Sequence, residues 1–291
     1  NHFYKALQEI TILDPTCGSG AFLFAAMNIL EPLYEVCIDR MQQFHAQNTN
    51  LFKDELNEIE HKYRSNIQYF IYKSIILRNL YGVDIMTEAT EIAKLRLFLK
   101  MVAVVEANRR LPNLGLDPLP DIDFNIRCGN TLVGYATEDE VVEGSSEDIF
   151  TQAEFREKVE LELEKVSMAY DHFRTQQLTD ADDRLAFKEA KAELSFRLKS
   201  LTDMLDKQQF SVSGRANFEE WKESHQPFHW IAEYYQIIHG NGGFDVIIGN
   251  PPYVGYTRKN KITKKAVVDY YRVENLITLP TSNLYSFCIE R

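Results

Sequence analysis

The chain of 291 residues has only four cysteines, Cys17, Cys37, Cys128 and Cys288, and no two of them form a C-x-x-C pair. That excludes a disulfide-stapled fold and argues against a zinc site. No metal is expected: His225 and His229 have ligand-like spacing, but Pro227 lies between them and no cysteine pair accompanies them. Reduced thiols in a cytoplasmic protein are the simplest reading. Long apolar runs are lacking too, since nowhere do about 18 apolar residues follow one another, so no membrane span is expected. Positive charge is scarce, with 32 Lys and Arg against 43 Asp and Glu and a net charge of −11. This excludes a dedicated nucleic-acid clamp, though not a catalytic domain that borrows its grip from elsewhere. The 45% apolar content is ordinary for a globular protein. The first residues, Asn1-His2-Phe3, look like neither a signal peptide nor an initiator sequence, and both ends fall inside helix-like patterns. The chain therefore reads as a piece of a longer protein.

Two short motifs carry the chemistry. Ile12-Leu13-Asp14-Pro15-Thr16-Cys17-Gly18-Ser19-Gly20-Ala21-Phe22 reads as a buried strand, a glycine-bearing loop and the start of an apolar helix. Gly18 and Gly20 permit a tight turn and a close approach of ligand to backbone. Further on, Phe244-Asp245-Val246-Ile247-Ile248-Gly249 has a buried-strand pattern and leads into Asn250-Pro251-Pro252-Tyr253. The two prolines stiffen the backbone and remove two N–H donors. The Asn250 side-chain oxygen and the Pro251 carbonyl remain as acceptors beside an aromatic ring. That set suits holding a planar amino group between two acceptors while Tyr253 clamps its plane. The simpler alternative is a rigid surface turn.

Strands alternate with helices along the chain. Ile10 to Leu13, Leu80 to Asp84, Asp123 to Cys128 and Phe244 to Ile248 read as four strands. Gly20 to Leu30 reads as a helix, Pro32 as the start of another. Thr87 to Asn108 reads as a helix with Ile92, Leu95, Leu99 and Val102 on one face. The alternation predicts an α/β fold with a parallel sheet, in which ligands bind beyond the carboxyl ends of the strands. Asp14, Asp84, Asn130 and Asn250 all fall at such ends.

Asp84 lies much further from the glycine loop than the roughly 20 residues of a compact dinucleotide fold, so residues 33–78 read as a helical insertion. Residues 1–135 are then the first part of a core, 136–240 a second insertion and 241–291 a truncated second part of the core. Within residues 151–208, Val159, Leu163, Val166, Tyr170 and Phe173 repeat at helical spacing, as do Phe187, Ala190, Leu194, Leu198, Leu201 and Leu205. Thr175 to Asp183 is the break between them, and Thr151 with Glu154 forms a capping box at the start. These features predict an antiparallel, coiled-coil-like helical hairpin about 35–40 Å long. It is either a solvated arm or a surface for a protein partner, and the acid-rich stretch 138–164 disfavours DNA there. Arg258, Lys259, Lys261, Lys264 and Lys265 cluster directly after the Asn-Pro-Pro-Tyr motif, either against DNA phosphate or as a solvated loop.

The Asp-Pro-x-Cys-Gly-Ser-Gly loop ahead of a helix, paired with Asn-Pro-Pro-Tyr after a later strand, resembles the class I S-adenosylmethionine-dependent methyltransferases. Among these, the chain resembles the DNA adenine-N6 methyltransferases. The long spacing is similar to that of the large single-chain type IIG restriction-modification enzymes and of the BREX phage-defence methyltransferase. The resemblance covers about residues 10–30, 80–132 and 243–291, and it implies a Rossmann-like parallel sheet with large helical insertions. It implies S-adenosyl-L-methionine as the cofactor, bound by Asp14, Thr16, Cys17, Gly18, Ser19 and Gly20. Asp84 would accept from its ribose hydroxyls, and Asn130 would meet its adenine ring.

By the same resemblance, Asn250 and Pro251 would hold the amine of an adenine flipped out of double-stranded DNA. Pro252 would stiffen the turn and Tyr253 would stack on the base. No covalent nucleophile is needed, so neither Cys17 nor Cys128 need be catalytic. Simpler roles stay open: Asp14-Pro15 as a turn starter, Asp84 as a helix cap, Gly129-Asn130 as a turn pair. Two other functions also stay open. One is a methyltransferase of the same fold acting on protein glutamine or ribosomal RNA guanine. The other is a catalytically silent assembly module. The piece on its own is expected to be inactive.

Overall fold

The structure, a computed structural model, describes residues 2–63, 66–106, 119–143, 149–179, 184–253 and 285–290. The basic run from Arg258 to Lys265 lies outside the described residues. The chain divides into two compact units, Asn1–Arg127 with Phe244–Gly249, and Cys128–Gly243 with Asn250–Arg291.

In the first unit, helix α1 (His2–Glu9) leads into strand β1 (Ile12–Asp14). Helices α2 (Ala21–Gln47), α3 (Lys53–Lys62) and α4 (Ile67–Arg78) follow, then strand β2 (Leu80–Asp84) and helix α5 (Thr87–Val102). Strands β3 (Ile126–Cys128) and β4 (Val246–Ile247) complete a four-stranded sheet in the order β3-β2-β1-β4. β1 runs parallel to both neighbours, with Asp14 opposite Gly82 and Leu13 opposite Ile247. This is the α/β class that the alternation of elements predicts, with helices packed on the sheet.

Two polar clamps set the register. Asp245 accepts from the Thr11 N–H at 2.8 Å and from the Thr11 hydroxyl at 2.9 Å, which fastens β4 to β1. Asn79 is fully buried, and its amide donates to the carbonyls of Leu7 and Ile10 while its oxygen accepts from the Tyr34 hydroxyl. It thereby ties α1, α2 and the start of β1 to the entrance of β2. Every residue of α4 from Tyr69 to Leu77 is buried, so this helix is enclosed on all sides, as an all-round apolar helix must be. Lys73 within it reaches the Tyr63 hydroxyl at 3.0 Å.

Three expectations are corrected here. Pro32 does not start a helix but sits inside α2. A proline inside a helix costs about 3 kcal/mol, and burial of Leu30, Tyr34, Ile38 and Met41 along one stripe of α2 offsets it. α5 ends at Val102 rather than Asn108, and it faces the other way. It buries Thr90, Ala93, Leu97 and Met101, whereas Ile92, Leu95, Leu99 and Val102 are exposed. Two apolar stripes overlap on this helix, and the one with the small Ala93 allows the closer approach to the loop after β1. The strands are shorter than their apolar runs: residues 123–125 form a turn before β3, and β4 spans two residues. Among the described residues α2 is the one helix long and apolar enough to cross a membrane by length and composition. Its buried face packs on β1, β2 and α4, which is how a core helix behaves.

The second unit holds α6 (Glu138–Glu143), α7 (Ile149–Thr179), α8 (Arg184–Ser213), α9 (Phe218–His225), α10 (Trp230–Glu233), a π-helical turn (Gln236–Gly240) and α11 (Tyr285–Glu290). α7 and α8 pack against each other. α7 buries Val159, Leu163, Val166 and Phe173, and α8 buries Ala190, Leu194, Leu198, Leu201 and Leu205. The rings of Phe173 and Phe187 lie 5.4 Å apart. Thr151, expected at the start of the helix, lies inside α7, which already runs from Ile149.

Candidate functional site

The turn after β1 is built from backbone bonds that reach in from β2. The Cys17 N–H donates to the Val83 carbonyl at 2.9 Å and the Gly20 N–H to the Cys17 carbonyl at 2.8 Å. Asp84 accepts from the Gly18 N–H at 2.8 Å through one oxygen and from the Met86 N–H at 2.9 Å through the other. Asp84 thus orders the glycine loop. Two backbone bonds leave acceptor capacity on a carboxylate, which offers about four lone-pair sites. Gly18 (φ 51°) and Gly20 (φ 78°) take the left-handed conformation that the turn requires. A Cβ on Gly18 would meet nothing within 4 Å, whereas one on Gly20 would stand 3.0 Å from the Ala93 Cβ of α5. The loop is therefore open on the Gly18 side and closed on the α5 side.

Asp14 ends β1 almost wholly buried, at 1% exposure. One oxygen accepts from the Thr16 N–H at 3.1 Å. The other, together with the buried Thr16 hydroxyl, has no hydrogen-bond partner. Burial pushes the Asp14 carboxyl up to about 6; the Thr16 N–H lowers it again and the Asp84 charge raises it further. Buried polar atoms are rarely left unpaired, and those that are mark places where a ligand, ion or water completes the site.

Gly249, at the exit of β4, stands over this carboxyl. A Cβ there would come within 3.0 Å of the Asp14 oxygen and 3.3 Å of the Thr16 hydroxyl. Gly82 is under the same restriction from Leu23, at 2.8 Å, and from the Cys17 sulfur, at 3.1 Å. Reading the motifs alone missed both glycines. The available signal was a glycine inside or ending an apolar strand, which marks close approach of another group.

The turn after β3 is of another kind. Asn130 is buried, and its side-chain oxygen accepts from the Leu132 N–H at 3.1 Å. Its N–H donates to the Gln226 carbonyl at 2.8 Å. The stretch from Gln226 to Ile231 then runs alongside: Phe228 N–H donates to Val133, the Trp230 indole to Thr131 at 3.1 Å, and Ile231 N–H to Tyr135. The Tyr135 N–H donates to His229 Nδ1 at 3.0 Å. A backbone N–H can only donate, so Nε2 carries the ring proton and donates to the Asp206 carboxylate of α8 at 3.0 Å. The other Asp206 oxygen pairs with Lys222 of α9 at 2.6 Å. His225 is buried against Trp221, with ring centroids 5.6 Å apart. Among the described residues no group of three His, Cys, Asp or Glu could hold a metal ion.

The structure therefore brings Asp14, Thr16, Cys17, Gly18, Ser19, Gly20 and Asp84 together in the first unit. Asn130 and Asn250 to Tyr253 belong to the second unit. Asn250, Pro252 and Tyr253 are exposed, Tyr253 to 75%.

Comparison with known proteins identifies related families. Residues 78–291 match the model of the Eco57I restriction-modification methylase family, and residues 1–150 match that of the MmeI DNA-methyltransferase domain. A protein of Methanocaldococcus jannaschii described as a candidate type II restriction enzyme and methyltransferase is 30% identical over 293 residues. That match covers 86% of this chain and 22% of the relative. A type II restriction enzyme and methyltransferase of Escherichia coli is 30% identical over 139 residues, covering 45% of this chain and 12% of the relative. The chain thus spans less than a quarter of the length of either curated relative. No solved structure matches it.

Proposed function

We propose, because this chain belongs to the Eco57I restriction-modification methylase family, that it forms the catalytic core of a DNA adenine-N6 methyltransferase using S-adenosyl-L-methionine. The observation that carries the reading is the contact of Gly249 with Asp14 and Thr16. Parallel pairing of β1 with β4 brings the exit of β4 onto the glycine-loop end of β1, and Asn250 is the next residue of the chain.

The residues present fit a bound donor. S-adenosyl-L-methionine, when bound, supplies a methyl group on a positively charged sulfur. The unpartnered Asp14 oxygen and Thr16 hydroxyl are acceptors for an ammonium group. Gly18 offers backbone with open space before it. Asp84 retains acceptor capacity for ribose hydroxyls. Asn130 spends one of the two lone pairs of its side-chain oxygen in its own turn.

An exocyclic amine is a poor nucleophile because its lone pair is delocalised into the base. Asn250 and the Pro251 carbonyl would accept from its two hydrogens, draw it toward tetrahedral geometry and localise that lone pair. This is positioning together with preorganised electrostatics. Pro251 and Pro252 keep the turn stiff, and the exposed ring of Tyr253 offers a stacking face for a base taken out of the duplex. The basic residues Arg258 to Lys265 would meet DNA phosphate. The long surface of α7 and α8, which exposes Leu161, Met168 and Phe196, would serve a protein partner. In the full-length enzyme, Asn250→Ala should lower methyl transfer to duplex DNA by about 10²–10³-fold or more while donor affinity stays near wild type. Tritiated-methyl transfer beside calorimetric donor titration is the measurement, and wild-type turnover in Asn250→Ala would refute the mechanism.

A further inference from the structure

The loop that the proposed donor would occupy has a second brace, from a residue outside both motifs. Arg96 of α5 donates from one guanidinium nitrogen to the Ser19 carbonyl at 2.9 Å and to the Ser19 hydroxyl at 3.3 Å. Its guanidinium lies 5.5 Å from the centre of the Phe24 ring on α2, and the Lys100 ammonium lies 5.7 Å from the same ring. One turn before Arg96, Ala93 abuts Gly20.

A trans peptide unit points its C=O and its N–H in opposite directions. The Ser19–Gly20 peptide is held at both ends: Arg96 takes the carbonyl, and the Cys17 carbonyl takes the Gly20 N–H at 2.8 Å. Glycine at position 20 tolerates a wide range of φ, so within the loop the Gly20 N–H bond to the Cys17 carbonyl is what opposes rotation of this unit. Rotation would break the Gly20 N–H bond and turn the Ser19 carbonyl toward the Cys17 carbonyl. A charge-assisted bond to the carbonyl opposes that rotation, and stacking on Phe24 holds the guanidinium in place.

We propose that Arg96 is a positioning residue for S-adenosyl-L-methionine binding: it fixes the Ser19–Gly20 peptide, and through it the loop from Thr16 to Gly20, without itself touching the donor. This rests on the donor reading given above. Arg96 is half-buried and is not one of the core residues, so its replacement should leave the fold in place.

The test uses the full-length enzyme as wild type, Arg96→Met and Arg96→Lys. Amide hydrogen exchange without ligand should show the Gly20 N–H exchanging about tenfold faster in Arg96→Met, with Arg96→Lys between the two and global urea midpoints matching. Calorimetry with S-adenosyl-L-methionine should show affinity about five- to tenfold weaker in Arg96→Met, the loss expected for one hydrogen bond of ordinary net strength, and partial recovery in Arg96→Lys. Unchanged exchange at Gly20 overturns the proposal whether or not the donor binds. Faster exchange with wild-type affinity also overturns it, because the loop would then not need the brace. Absence of donor binding by the wild type would instead overturn the donor reading, and the exchange measurement would still decide whether Arg96 orders the loop.

Discussion

The turn after β1 and the turn after β3 use similar residues, each pairing glycines with a short polar side chain, yet they are finished differently. In the first, Asp14 and Thr16 hold buried oxygens with no partner, and Gly18 faces open space. In the second, the Asn130 oxygen is taken by Leu132, and a neighbouring stretch bonds along its length. There, a Cβ on Gly129 would lie 2.7 Å from the Phe228 ring and one on Gly134 would lie 2.3 Å from the Phe228 carbonyl. The same residue types therefore make an incomplete surface in one place and a closed joint in the other. Unpartnered buried oxygens, rather than glycines as such, distinguish the first turn from the second.

Substitutions at the glycines give the largest expected effect. Gly134→Ala, with φ 123° and backbone in the way, should cost about 3–5 kcal/mol from overpacking and strain. Gly18→Ala has room for the methyl and should cost only about 1–2 kcal/mol for its left-handed backbone. Urea unfolding of both variants measures the contrast, and equal losses would break it.

Two buried aspartates should respond in opposite directions. Asp206→Asn removes the charge that pairs with Lys222 and accepts from His229, and should destabilise by about 2–4 kcal/mol. Asp14→Asn removes a charge held in a buried place. Its carboxyl has a folded value of about 6 against the ordinary 3.8, so between those values the folded chain binds more protons than the unfolded one. Its contribution to stability therefore falls as pH rises from about 4 to 6 and stays low above that. Asp14→Asn should raise the unfolding midpoint relative to wild type at pH 7.5 and give no such gain at pH 4. A midpoint difference independent of pH would show that Asp14 is not the titrating group.

Ligand binding should separate the turns more finely. Asp84→Ala, which releases the Gly18 and Met86 N–H groups, should weaken donor affinity by about 1–3 kcal/mol, measured by calorimetry on variants shown to be folded. The smallest effect is that of pH on affinity. An ammonium beside Asp14 favours its ionised form, so donor affinity should rise as pH increases through about 6, by roughly tenfold or less between pH 5 and 7. Asp14→Asn should flatten that rise, and calorimetry across the range would expose a slope that survives.

Much of the first unit was legible in the sequence. The strand–loop–helix of residues 12–22 and the apolar strand before Asn250 are local patterns, and parallel order follows from their alternation with helices. What was not legible depends on partners distant in the chain. The outward face of α5 looked like a core stripe because larger residues happen to line it, while small Ala93 makes the decisive contact with Gly20. Arg96 carries no local sign of its contact with Ser19. Gly249 was visible only as a residue before a motif, since Asp14 lies at the other end of the chain. The partnering of Asn130 by residues 226–231 belongs to the same class of contacts that no spacing rule reveals.

The clamp between Thr11 and Asp245 joins residues 234 positions apart. On a ribosome adding about 5–20 residues per second, β1 would wait on the order of ten seconds to most of a minute for β4 to emerge. The long helices α7 and α8, whose contacts are local, can form in that interval, whereas the β1 edge cannot close. The lengthy connection costs little at equilibrium, because loop closure entropy grows only with the logarithm of length. Its consequence is kinetic: among the described strands, the last to join is the one that leads into Asn250, so that turn follows β1, β2 and β3 in the order of assembly.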